Sequence, residues 1–206
     1  MSTYQTDEEQ VEALKKWWQE NGRSVIAGVV IGLLIVGGGK AWIEYNRVQA
    51  ENASAYYEGF SKAAVEGDLE KALERGEALI ENYGGSTYAL FTALELARLQ
   101  YEAGEKARAK ARLEWVLDNA RHPAIEHLAQ VRLARLLLDV GDLDGAERLV
   151  GEPGDDAWTG ERLAVRADVR LARGDREGAK ADYAAALEKG VSLPAFVRMK
   201  LAELGG

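Results

Sequence analysis

Between Arg23 and Trp42 the chain reads RSVIAGVVIGLLIVGGGKAW, and the 16 residues from Ser24 to Gly39 carry no charge. At a rise of about 1.5 Å per residue this run covers roughly 24 Å of a hydrocarbon layer about 30 Å thick. Lys40 can lift its ammonium group toward water along its aliphatic stem, which adds Ala41, Trp42 and Ile43 and brings the span to about 20 residues, the usual membrane-crossing length. Trp17 and Trp18 precede the run, and Trp42 and Tyr45 follow it, where aromatic belts form at membrane interfaces.

Other readings of the segment fail on particular residues. A secretory signal needs a basic start and a small-x-small cleavage site. Here the preceding residues include Asp7, Glu8, Glu9, Glu12 and Glu20, and no such site follows Gly39. A phosphate-binding loop needs a first glycine where Leu34 stands, and a Ser or Thr where Ala41 stands. A glycine-rich core helix without a polar face fits the composition too, but the aromatic flanks favour an uncleaved transmembrane helix over residues 23–43. Ser24, Gly28 and Gly32 recur every fourth residue, so one face offers three small residues against which another helix can pack closely. Small residues are common in membrane helices, so the same spacing also arises without a packing role.

Lys15, Lys16 and Arg23 lie before the span, against Lys40 and Arg47 after it, and this excess puts the N-terminus in the cytoplasm. Residues 1–22 place Val11, Leu14 and Trp17 or Trp18 at helical spacing, with Asn21-Gly22 expected as the stop. They read as a short amphipathic cytoplasmic leader lying on the membrane or a partner.

Past residue 50 the sequence repeats itself. GDLEKA at Gly67, GEKARA at Gly104, GDLDGA at Gly141 and GDREGA at Gly174 share the form Gly-[Asp/Glu]-x-x-x-Ala, with glycines 37, 37 and 33 residues apart. Ala97, Ala134 and Ala167 stand seven residues before the last three glycines. A period near 34 residues is that of tetratricopeptide-type helical hairpins. Small alanines such as Ala97 and Ala109 let paired helices approach, glycine makes the turn, and the acid suits the N-terminus of the next helix. Leu113, Val150 and Tyr183 fill the large position of the second helix. The first copy departs from this pattern: Phe60 replaces the small residue and Gly76 the large one. Pro123, Pro153 and Pro194 fall near repeat ends, and only three prolines interrupt a chain rich in helix formers. The expected fold is therefore all-α, a single transmembrane helix followed by about four hairpins over residues 44–206. Since neither Pro nor Gly occurs from Lys40 to Glu58, the membrane helix is expected to run into the first hairpin.

A net charge of -8 lacks the basic footprint of a nucleic-acid binder, and the absence of cysteine excludes disulfides, thiolate nucleophiles and Cys-ligated metals. His122 and His127 are five residues apart, where helical metal pairs are three or four apart, and they read as solvent or turn residues. No nucleophile–base pair can be named, so the chain reads as a non-enzyme without a cofactor or metal. Its working surface is expected along the first helices of the hairpins, with Phe91, Leu94, Arg98 and Tyr101 exposed in the second and Val131, Arg135 and Leu138 in the third. Arg98 and Arg135 occupy equivalent repeat positions, where a pair could hold a partner's carboxylate. Two ordinary surface arginines would look the same.

Three segments in this order, the leader DEEQVEALKKWWQENG, the stretch STYALFTALELARLQYEAGE and the near-terminal VRADVRLARGDREGAKADY, resemble the YfgM family of ancillary SecYEG translocon subunits. The resemblance implies a single-pass protein of the bacterial inner membrane with its repeat domain in the periplasm. It further implies association with SecYEG and with a PpiD-like membrane-anchored periplasmic chaperone, in support of newly exported proteins. A contact with an RcsB-like response regulator on the cytoplasmic side is also implied, which leaves a membrane-anchored regulatory scaffold as the alternative reading. None of the family's binding residues transfers to a numbered position here.

Overall fold

The computed structural model describes residues 7–152 and 154–205, so Pro153 and the first six residues of the leader lie outside the described residues. Among the described residues the chain is helical without a strand, in the order α1 (Asp7–Glu66), α2 (Leu69–Tyr83), α3 (Thr87–Glu102), α4 (Lys106–Asn119), α5 (Pro123–Asp139), α6 (Leu143–Val150), α7 (Thr159–Ala172), α8 (Arg176–Lys189) and α9 (Pro194–Glu203). The chain divides into two units, Met1–Asn52 and Ala53–Gly206.

In the first unit the apolar run lies within α1, exposed along its length, with a mean hydropathy of 1.9 over 18 residues and none of that window buried. It is long and apolar enough to cross a membrane. Asn21-Gly22 does not stop the leader helix, contrary to expectation. A glycine ends a helix when it takes up a left-handed conformation, and Gly22 does not; the Trp18 ring covers it, and Asn21 Nδ2 donates to the Trp17 carbonyl at 3.1 Å. The expected continuity past Lys40 is present, since α1 ends only at Glu66.

The second unit is built of hairpins: the end of α1 pairs with α2, where Phe60 and Ala63 pack on Ala72 and Arg75 donates to the Gly59 carbonyl at 2.8 Å, α3 pairs with α4, α5 with α6 and α7 with α8, and α9 packs on α8. Gly67, Gly104, Gly141 and Gly174, the four glycines of the repeated motif, sit at the turns with φ of 76°, 82°, 82° and 84°. A side chain there would be strained, which is why glycine recurs. The acid that follows does more than complement a dipole. Asp68, Asp142 and Asp175 are N-caps whose carboxylates accept from the backbone N–H of Lys71, Gly145 and Gly178 at 3.1, 2.8 and 2.9 Å. Glu105, one methylene longer, makes no such bond. Pro123 and Pro194 open α5 and α9 in the first turn, where a missing N–H costs nothing.

Ala72, Ala109, Ala146 and Ala179, each five residues after a turn glycine, are fully buried, as are Ala134 and Ala167 before the turns. The anomaly of the first copy resolves as an exchange of volume. Phe60 fills the core where later copies have alanine, and Leu96 of the next hairpin closes over Gly76, where an added Cβ would come within 2.8 Å of Leu96 Cδ1. The ninth helix has no counterpart in the sequence pattern. It covers the last hairpin by burying Val197 with Tyr183 and Ala186.

Candidate partner-binding groove

Helices α3 and α5 each turn one face into the core, and this decides which of the expected groove residues are available. Leu94 and Val131 are only 4% exposed, against the expectation that both face outward. Each stands three residues before a buried alanine, Ala97 or Ala134, and so shares its inward face. Phe91 and Tyr101 are 45% and 39% exposed, Arg98 and Arg135 are exposed, and Leu138 is half-buried.

Two adjoining clefts lie along this side of the hairpins. One of about 330 Å³ has a floor of Ala97, Leu113 and Leu136, and Arg98, Tyr101, Arg132 and Arg135 stand around it. The other, of about 400 Å³, runs past Tyr57, Val65, Phe91 and Leu128, with Leu94 beneath. Arg98 and Arg132 border both, so the clefts form one groove along the second and third hairpins and the part of α1 that packs with them. It is apolar at its base and cationic at its centre.

The pairing expected of Arg98 and Arg135 is already occupied from within the chain. Arg98 holds Glu95 and Glu102 at 2.6 and 2.5 Å, which raises its pKa, and Arg135 reaches Glu161 at 3.4 Å. Tyr101 donates to Asp139 Oδ2 at 3.0 Å, and Asp139 also holds Lys106 at 2.6 Å, so the end of α3 is tied to the end of α5. The hydrogen bond to Asp139 raises the Tyr101 pKa.

Arg132 is the residue that sequence reasoning missed. It is half-buried, donates to the Leu94 carbonyl at 3.1 Å, and forms no ion pair with a carboxylate among the described residues. Burial is the main cause of its lowered pKa; Glu95 opposes the shift while Arg98 and Arg135 add to it. A signal was present in the sequence. The positions three and four residues away on either side are Ala129, Leu128, Arg135 and Leu136, none of them acidic, whereas Arg98 has acids at both.

The histidines divide. His122 caps α5, its Nδ1 accepting from the Ala124 N–H at 3.3 Å, in keeping with a turn residue. His127 is not a solvent residue: it is 6% exposed, stacked on Trp158 at 4.7 Å, and neither ring nitrogen has a partner. Burial lowers its pKa, Arg162 adding to the shift and Asp156 and Glu161 opposing it. In the first unit, Ser24, Gly28 and Gly32 lie exposed on α1, with open space where a Cβ would stand on either glycine.

Helical hairpins in series, with a groove along their first helices, and a long apolar helix in the N-terminal part of the chain define a helical-repeat protein. The chain matches the tetratricopeptide repeat-like domain family over residues 15–206 and belongs to that family. It is similar to proteins named ancillary SecYEG translocon subunit: that of Escherichia coli is 26% identical over 206 residues, covering 99% of both chains. That of Haemophilus influenzae is 26% identical over 199 residues, 96% of this chain and 97% of the relative. That of Neisseria gonorrhoeae is 24% identical over 196 residues, 92% of this chain and 91% of the relative.

Proposed function

We propose that this chain is a non-enzymatic, membrane-tethered adaptor of the SecYEG translocon, with its repeat domain in the periplasm, where it helps exported proteins together with a PpiD-like chaperone. The observation that carries the reading is the groove, an apolar floor with a cationic centre on a domain whose family is made of interaction repeats. End-to-end similarity to translocon subunits supports the choice of partner. Residues 1–22 are the cytoplasmic leader, residues 23–43 cross the inner membrane, and Ser24, Gly28 and Gly32 offer a face to a translocon helix. Phe91, Arg98, Tyr101 and Arg135 face the partner, with Leu138 at the groove's end and Leu94 and Val131 supporting it from below.

One observation favours a second reading. Val11, Leu14, Trp17 and Trp18 form an uncovered apolar stripe on the leader, a docking face for a cytoplasmic partner such as an RcsB-like regulator. Crosslinking in native membranes followed by affinity recovery tests the choice. The adaptor reading expects translocon subunits or a periplasmic chaperone with the full chain, and still with residues 1–22 deleted. Recovery of only a soluble cytoplasmic protein, lost with the leader, would replace it by the scaffold.

A further inference from the structure

Helix α9 lies outside the repeated sequence pattern, yet it ends as the first helices of the hairpins end. Gly205 has a φ of 78° and donates to the Ala202 carbonyl at 3.0 Å. Gly104, Gly141 and Gly174, with φ of 82°, 82° and 84°, donate to the carbonyls three residues back at 2.9, 3.1 and 2.9 Å. Counted back from those three glycines, the tenth and seventh residues are Leu94 and Ala97, Val131 and Ala134, and Ala164 and Ala167, all of them buried. That face receives the second helix of the hairpin: Ala164 and Ala167 of α7 share a cluster with Ala179 and Tyr183 of α8. Counted back from Gly205, the same positions are Ala195 and Arg198, with Ala202 one turn on, and all three are exposed. Helix α9 packs on α8 through its other side, at Val197, and among the described residues no helix covers this face.

The chemistry of the uncovered face narrows what fits it. Ala195 and Ala202 are small enough for a helix to approach closely, and Met199, 50% exposed, adds apolar surface at the edge. Arg198 stands between the two alanines. Lys189 and Lys200 hold Asp155 and Asp168 at 2.7 and 2.5 Å, but Arg198 meets no carboxylate among the described residues. In the preceding hairpin the arginines of the first helix are met by an acid of the second, Asp182, which holds Arg166 and Arg170 at 2.8 and 2.9 Å. A second copy of α9 suits the face poorly: across a two-fold axis the central Arg198 would meet its own counterpart, like charge against like.

We propose that the outer face of α9 is the seat of an amphipathic helix from a partner protein, docked as second helices dock in the hairpins. The occupant carries an acid opposite Arg198 and a large apolar residue over each alanine. None of these residues borders the groove along the second and third hairpins, so the seat stands or falls separately from that reading.

The test is fluorescence anisotropy of labelled, stapled helices added to the full chain in detergent micelles, with binding to empty micelles subtracted. One helix presents Leu-x-x-Glu-x-x-x-Leu on one face, and two others carry Gln or Lys in place of the Glu. The Glu helix is expected to bind about tenfold more tightly than the Gln helix, and the Lys helix more weakly than either. Arg198→Glu should reverse that order, and Ala202→Arg should abolish binding of all three, both with unchanged unfolding midpoints. Arg98→Ala, in the groove, should leave the order intact. Equal binding of the three helices, or binding that survives Ala202→Arg, would overturn the seat and leave the groove untouched. Absence of binding would overturn it too, and if the chain then sediments as a dimer that Ala202→Arg dissociates, the occupant is a second copy.

Discussion

Asp182 is the most consequential single side chain in the last hairpin. It is buried, and both its oxygens are engaged: Arg166 grips it through Nε and Nη2 at 2.8 Å each, and Arg170 reaches it at 2.9 Å. Apart from Asp182, the one carboxylate that Arg166 meets among the described residues is Glu152, at 3.1 Å and almost fully in water. Asp182→Ala therefore strands a largely buried guanidinium, and removing one member of such a pair costs about 3–5 kcal/mol. For a domain of this size, that lowers the midpoint by roughly 6–20 °C. The assay is thermal unfolding of residues 53–206 followed by far-ultraviolet circular dichroism. Because repeat arrays unfold from their weaker end, the loss should show as an early transition confined to α7–α9, with matching loss of amide protection there. Arg166→Met with Asp182→Leu removes both charges and should recover most of the stability. A cost below about 1 kcal/mol for Asp182→Ala would refute the buried pair and the packing of α7 on α8 built around it.

Three further outcomes follow from the hairpins. Residues 53–206 alone should be soluble and mostly helical by circular dichroism, because the repeats bury their apolar faces on one another; a substantial sheet signal or a need for detergent would contradict this. Ala109→Leu should overpack a fully buried site and cost about 1–3 kcal/mol, while Arg98→Ala, which breaks only exposed pairs, should stay within about 1 kcal/mol of the parent in urea titrations. Because burial holds the His127 pKa below 6.5, the unfolded chain takes up its proton first as the pH falls. Stability is full above pH 6.5, declines between that and the folded pKa by up to about 1.4 kcal/mol per pH unit, and then levels off; His127→Phe should flatten this segment of the profile.

The parts of this fold that could be read from the sequence are those where one residue type alone satisfies a local requirement. A φ near +80° demands glycine, so Gly67, Gly104, Gly141 and Gly174 mark the turns; aspartate has the reach of an N-cap, so three caps follow them. Close helix approach demands alanine, so Ala109 and Ala146 are buried where the pattern put them. What escaped depends on residues distant in sequence. Phe60 and Gly76 look like defects until Leu96, from the next hairpin, fills the space. Helix α9 belongs to no repeat, and its role is visible only once Val197 meets Tyr183. Leu94 and Val131, expected outward, stand three residues before Ala97 and Ala134, and that spacing puts them on the buried face. Arg132 needed the opposite test, a search for the acid it lacks.

The adaptor reading depends on the groove and the leader lying on opposite sides of the membrane. The chain contains no cysteine, so a single introduced thiol reports its own position without background. Ser192 is exposed in the loop before α9, and Ser2 is at the start of the sequence. In cells with a permeabilised outer membrane and an intact inner one, a membrane-impermeant maleimide should label Ser192→Cys and leave Ser2→Cys unlabelled until the inner membrane is broken. Labelling of Ser2→Cys with protection of Ser192→Cys would put the repeat groove in the cytoplasm and contradict the account.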